Sequence, residues 1–257
     1  MQHSAIETTR AVFDFYSEMC RTGEFGDFTW SDRRKRFSLT KANAFFVGVL
    51  LDQGQKAERA WNGANHLVSS HYRGRRGFWA RVRVADEEQL RTICRTGFEG
   101  KSYASVFCVN KFPTWLRSAA NRIKEQYDGD PRNIWDVRAD QVQLIYDRFT
   151  TFDGIGDALA KMAQFILVRN YGIAGGKINQ SQMSVKPDVL VRRVLYRSGL
   201  AESDGIQPTL NILESLRLKR PADFDAALWT IGREFCLKSK PACEKCPIED
   251  ACARRLK

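Results

Sequence analysis

Four cysteines, Cys236, Cys243, Cys246 and Cys252, fall within the last 22 residues of this 257-residue chain, spaced Cys-x6-Cys-x2-Cys-x5-Cys. Four thiols in so short a stretch point to a metal centre, because soft thiolates are the ligands that gather zinc or iron. Two disulfides would use the same residues. The N-terminal stretch MQHSAIETTR, however, carries no apolar core of a secretory signal, so an intracellular address is expected, cytoplasmic or nucleoid-associated, where disulfides are rare. Structural zinc usually takes two short Cys-x2-4-Cys knuckles, whereas only Cys243 and Cys246 form such a pair. The long first arm favours a bulkier iron-sulfur cubane whose ligands arrive from several directions, with zinc as the remaining alternative.

The flanks narrow this further. They read Leu228-Trp229-x-x-Gly232-Arg233-x-x-Cys236, then Pro241-x-Cys243-x-x-Cys246-Pro247-Ile248, then Cys252. This run closely resembles the iron-sulfur loop of endonuclease III and the adenine glycosylases, which are helix-hairpin-helix DNA glycosylases. The resemblance implies a 4Fe-4S cluster on those four cysteines, shaping a C-terminal DNA-binding loop. It also demands a hairpin followed by a catalytic carboxylate upstream.

Both demands are met. Phe149-Thr150-Thr151-Phe152-Asp153-Gly154-Ile155-Gly156-Asp157-Ala158-Leu159-Ala160 resembles the family's Leu-Pro-Gly-Val-Gly-x-x-x-Ala hairpin, with Phe152-Asp153 in place of Leu-Pro. Glycines at 154 and 156, flanking Ile155, allow a tight turn whose backbone N–H groups, at the start of the next helix, can bind a DNA phosphate. A Gly-x-Gly pair alone more often just separates two helices; its place upstream of the cysteine loop gives it weight. Further on, Val185-Lys186-Pro187-Asp188-Val189-Leu190-Val191-Arg192-Arg193-Val194 is similar to the family's Val-Asp-x-x-hydrophobic-x-Arg-Val element, and its register puts Asp188 on the catalytic aspartate. An Asp beside Pro at a helix start is also a good N-cap, and the two roles are compatible. Cleavage of an N-glycosidic bond builds positive charge on deoxyribose, which a nearby carboxylate stabilises.

Departures from the family pattern are informative. Members that also nick the backbone carry a lysine nucleophile where this chain has Ala158, so a monofunctional enzyme is expected. Lys161 and Lys177 are the nearby substitutes, each read more simply as a phosphate contact. Gly48 occupies the place of the adenine branch's catalytic glutamate, so adenine opposite oxidised guanine is not a supported substrate. In Val49-Leu50-Leu51-Asp52-Gln53-Gly54-Gln55, Gln53 takes the position of the glutamine that family members place at the DNA lesion; an exposed helix end is its plainer reading.

Lys plus Arg total 41 against 30 acidic residues, a net charge of +11 that suits phosphate binding. Arg192, Arg193, Lys238, Lys240 and Lys245, clustered about the aspartate and the cysteine loop, are the expected DNA contacts, with Arg254, Arg255 and Lys257 beyond. Arg33-Arg34-Lys35-Arg36 and Arg73-Gly74-Arg75-Arg76 read as solvated faces. No apolar run is long enough for a membrane span. Helical periodicity dominates: Ile6 to Cys20, Ala42 to Leu51, Ala57 to His71, Glu87 to Cys94, Thr114 to Tyr127, Gln141 to Phe149, Asp157 to Val168, Asp188 to Ser198, Thr209 to Leu216 and Ala222 to Phe235. Trp79 to Val84 is the single stretch with strand-like alternation.

The chain thus reads as all-α. The resemblance implies two lobes, a helical bundle with the hairpin over residues 42–171, and a second lobe from 1–41 with 172–257 that carries the cluster. The stretch Asn170 to Lys186 is about a dozen residues longer than the family pattern requires, a polar loop that either meets the flipped base or is a tolerated insertion. The implied activity is base excision by a monomer on double-stranded DNA, with no membrane partner: a damaged, mismatched or modified base is extruded and its N-glycosidic bond cleaved with Asp188. The alternative is a non-catalytic iron-sulfur protein that recognises DNA structure or damage.

Overall fold

The computed structural model describes residues 5–22, 38–71, 77–169, 171–173, 185–219 and 221–256. These residues form eleven α-helices and a few single turns of 3-10 helix, and the nearest thing to a strand among them is an isolated bridge between Phe98 and Lys101. Two compact units result, one of Met1–Trp30 with Asn179–Lys257, the other of Ser31–Ile178.

The second unit is built around α2 (Leu39–Leu51). Its sequence is apolar on every side, and residues 42–51 are all buried, which is where such a helix must lie. Ser38 starts it by accepting the Lys41 amide at 3.3 Å. Around it stand α3 (Ala57–Ser70), α4 (Phe78–Val84), α5 (Glu87–Thr96), α6 (Phe112–Gln126), α7 (Gln143–Thr150) and α8 (Asp157–Arg169). Aromatic rings fill the middle: Phe46 meets Trp79 edge-on at 5.4 Å and Phe152 at 4.7 Å, while Phe45 meets Trp61 and Trp135 at 5.5 Å each. Truncating a ring buried this completely costs about 3–5 kcal/mol.

Residues 79–84, where the sequence alternates like a strand, are helical. Phe78, Trp79 and Val82 are buried, a spacing of three and four that forms one helical stripe, whereas Val84, the residue that completes the alternation, is 66% exposed. A pattern of so few residues fits both periods, and packing against α6 selects the helix.

The first unit packs α1 (Ala5–Thr22), α9 (Val189–Arg197), α10 (Ile206–Ser215) and α11 (Pro221–Glu234) around Val12, Tyr16, Val191, Leu195, Phe224, Leu228 and Ile231. Gly232 brings α11 against the first turn of α9, since a Cβ there would lie 2.8 Å from Leu190 Cβ. Residues 235–256 follow without a long helix. The Thr8 hydroxyl donates to the carbonyl of Ala251 at 2.6 Å and fastens this tail to α1. No helix among the described residues is long and apolar enough to cross a membrane.

Candidate nucleic-acid and metal sites

Residues 151–156 make the turn between α7 and α8. Gly154 has φ +83°, and a Cβ on it would sit 2.5 Å from the Trp115 ring, so both backbone and space require glycine. Phe152 fills the family's leucine position as an apolar plug under Phe46, and Asp153, in the proline position, is anchored by the Ser118 hydroxyl at 2.6 Å. Ile155 is buried, and its amide donates to Phe152 O at 3.0 Å, so that amide is engaged within the turn. Gly156 is different. Its φ is not left-handed, and a Cβ added there meets nothing within 4 Å, so nothing inside the protein requires glycine. Exposed bare backbone at the start of a 13-residue helix is a surface that an anion can approach closely.

Gln53 belongs to the same unit and reaches this turn. Its side-chain amide donates to Leu50 O at 3.0 Å and to Gly154 O at 2.8 Å. Gln55 similarly bridges Leu51 O and Tyr103 O. Two residues that the sequence reading missed are Val106 and Phe107, each 80% exposed. The Phe107 ring lies 3.2 Å from where a Cβ on Gly54 would be. Two apolar residues in a non-helical stretch leave no periodic signal. At Gly48, a Cβ would fall 2.4 Å from the Trp61 ring, so a glutamate has no room there. Ala158 is exposed in the first turn of α8, and Lys161 is paired with Asp157 at 3.1 Å. Lys177 and most of the loop 170–186 lie outside the described residues, as do Arg33 to Arg36 and Arg73 to Arg76.

In the first unit, Asp188 is the N-cap of α9. Its Oδ1 accepts the amides of Leu190 at 2.8 Å and Val191 at 2.9 Å, and its Oδ2 lies 3.2 Å from Lys186 Nζ. The loop that delivers it is fixed too, for Lys186 N donates to Asp225 Oδ1 of α11 at 2.7 Å. One turn on, Arg192 Nε is buried with no hydrogen-bond partner among the described residues. Arg193 points elsewhere: its Nε donates to Cys236 O at 2.7 Å and its Nη2 to Gly232 O at 2.8 Å. Its guanidinium is thus engaged in holding the cysteine loop.

The cysteine loop closes on the far half of α9. Arg197, also missed in the sequence, donates to Leu237 O at 2.7 Å and Lys238 O at 3.0 Å, and its Nη1 is 3.7 Å from Cys236 Sγ. Cys236, Cys243, Cys246 and Cys252 are unbridged and line one small apolar pocket with Val194, Ile231 and Ile248. Burial pushes the Cys246 thiol up to about 11, with the three neighbouring sulfurs adding to the shift, and raises Cys252 as well. An apolar pocket lined by four thiols, in which burial disfavours the thiolates of Cys246 and Cys252, fits a cationic centre that would offset that penalty. Among the described residues no three His, Cys, Asp or Glu side chains form a single-ion site. Lys238, Lys240 and Lys245 are exposed along this loop.

No family model matches the sequence, and no curated protein matches it. Solved structures do. The chain is similar to a thermostable thymine-DNA glycosylase, with 15% identity, coverage of 96% of this chain and 94% of that one, and a TM-score of 0.59. It is also similar to endonuclease III in a trapped covalent intermediate with DNA, with 16% identity, coverage of 93% and 95%, and a TM-score of 0.56. At these identities what is shared is the course of the backbone, and by it this chain has the helix-hairpin-helix DNA glycosylase fold.

Proposed function

We propose that this protein is a DNA glycosylase of base excision repair, which flips a damaged, mismatched or modified base out of double-stranded DNA and cleaves its N-glycosidic bond. The observation that carries the reading is the setting of Asp188. Its Oδ1 is immobilised by two backbone amides at the head of a helix that the cysteine loop grips from behind, while Oδ2 is left to side-chain chemistry. A carboxylate whose position is fixed before substrate arrives stabilises the oxocarbenium-like sugar without having to reorganise.

The other residues have roles consistent with this. Gly156 offers bare backbone to a phosphate, and Arg192, one turn from Asp188, adds positive charge beside the carboxylate. Lys238, Lys240 and Lys245 supply charge on the cysteine loop. Gln53 and the exposed Val106-Phe107 pair suit the gap that an extruded nucleotide leaves, the glutamine by hydrogen bonding and the apolar pair by entering the stack. Cys236, Cys243, Cys246 and Cys252 would hold a 4Fe-4S cluster. Four thiols that share one pocket support a bound metal centre, and the long first arm of the loop favours the bulkier cluster over a single zinc ion. When bound, such a cluster would cross-link the loop through four bonds and make it rigid. We read the enzyme as a monomer.

The test is a panel of duplexes with single lesions, mismatched thymine first, incubated with purified protein and with D188N. Release of a base by the wild type and its loss in D188N is the expected result. Tight binding to several lesions with no base released from any would replace the enzyme with a non-catalytic DNA-binding protein.

A further inference from the structure

Val106 and Phe107 form the corner of a β-turn, since the carbonyl of Ser105 accepts the amides of Cys108 and Val109 at 2.9 Å each. Turn corners ordinarily carry Gly, Pro, Asn or Asp, and this one carries two large apolar side chains, each 80% exposed. Left free, such a pair would fold back to hide from water. The segment that leads to it is held against that. Three successive carbonyls are each met by a side chain: Arg59 Nη2 donates to Ser102 O at 2.6 Å, Gln55 Nε2 to Tyr103 O at 3.0 Å, and Ser102 Oγ to Ala104 O at 2.7 Å. Tyr103 is buried, with its hydroxyl 2.6 Å from His66 Nδ1 and its ring 3.3 Å from where a Cβ on Gly63 of α3 would be.

Arg59 governs two of these three holds. Its Nε donates to Gln55 Oε1 at 3.2 Å, which turns the Gln55 amide so that the NH2 end faces Tyr103 O and Leu51 O. On the other side of the corner, the Phe107 ring lies 3.2 Å from the Cβ position of Gly54. Gly54 follows Gln53, whose amide donates to the hairpin carbonyl of Gly154. The end of α2 is therefore joined both to the hairpin and to the turn that displays Phe107.

We propose that Arg59, acting with Gln55, is a positioning residue for base extrusion: it holds the segment 102–107 so that Phe107 enters the base stack where the nucleotide has left. The proposal rests on the reading of this protein as a base-flipping glycosylase, and it names what aims the apolar wedge. A segment already fixed in its bound orientation loses little freedom on insertion, and the ring exchanges water for bases as it enters. Arg59 thus acts through Phe107 and not on a phosphate. Lysine would serve a phosphate contact equally well, whereas bridging Ser102 O and Gln55 Oε1 together requires the planar fork of a guanidinium.

The experiment uses the full chain and fluorescence anisotropy to measure affinity for a duplex with a tetrahydrofuran abasic-site analogue and for the same duplex undamaged. The ratio of the two is the preference for a gap, and neither measurement needs a base to be released. Phe107→Ser should lower that preference about tenfold, and Arg59→Met and Arg59→Lys about fivefold each. The double variant R59M/F107S should fall no further than F107S alone, because a wedge already removed cannot be misaimed. A double variant whose loss is the product of the two single losses would make Arg59 merely structural and overturn the proposal. So would an absent wild-type preference, an unchanged preference in R59M or in F107S, or a full preference in R59K, the mark of a phosphate contact. Melting curves accompany every variant, and if R59M does not fold, Gln55→Met, which removes the donor to Tyr103 O, takes its place in the same cycle. Base release is scored separately on the lesion panel. Released base without coupling between Arg59 and Phe107 overturns this proposal alone, and coupling without base release from any lesion overturns the glycosylase reading alone.

Discussion

The Gln53 side-chain amide donates a 2.8 Å hydrogen bond to the carbonyl of Gly154, joining the end of α2 to the hairpin across 101 residues of sequence. In Gln53→Leu this carbonyl and that of Leu50 both lose their donor, a change that costs about 1–3 kcal/mol. Denaturant melting should register that loss, and affinity for abasic duplex should fall with it. Unchanged stability would mean that water replaces the amide at no cost.

The two hairpin glycines should separate fold from function. Gly154→Ala forces a Cβ into Trp115 at positive φ and should destabilise by about 2 kcal/mol or more. Gly156→Ala meets nothing, so its stability should stay within about 0.5 kcal/mol of wild type. Duplex affinity of that second variant should nevertheless drop about tenfold, because a methyl group obstructs the phosphate's approach to the backbone. Equal affinity by fluorescence anisotropy would remove Gly156 from the interface.

Asp188→Asn keeps a good N-cap, so melting should shift by less than about 1 kcal/mol, whereas Asp188→Ala loses the cap for about 1 kcal/mol more. Base release should fall by a factor on the order of 10² to 10⁴ in both. If Asn retained full single-turnover activity, the carboxylate would be structural only.

Arg193→Met leaves the carbonyls of Gly232 and Cys236 without their charged donor, a loss of about 1.5–3 kcal/mol per bond. Iron should leave this variant sooner under chelator, followed by visible absorbance. Base release should decline in step, because the same side chain ties the loop to the helix that Asp188 begins. Normal iron retention would show that the loop holds the proposed cluster without α9.

Phe107→Ser changes an 80% exposed side chain and should leave melting alone while lowering base release from duplex about tenfold. A comparable fall on single-stranded substrate would argue against insertion into the stack.

What could be read from sequence was whatever is local. The Asp188 cap lies within three residues of the amides it accepts, and the Gly154 turn is made within a few positions. The contacts of Arg193 and Arg197 with Gly232 and the cysteine loop, 39 to 43 residues away, could not be read, since a guanidinium at helical spacing looks the same whether it meets phosphate or carbonyl. Trp79 to Val84 misled because six residues are too few to separate a period of two from one of 3.6.

The bond from Thr8 to Ala251 spans 243 residues. The partners of α1 in its core, on α9 and α11, are translated only after all of the unit 31–178, so α1 emerges with Val12, Tyr16 and Met19 uncovered and stays so while that unit is made. The hairpin unit can therefore mature on the ribosome by itself, whereas the unit holding Asp188 and the four cysteines must close its longest loop late. That order delays assembly of the carboxylate site until the cysteines that would hold iron have been translated.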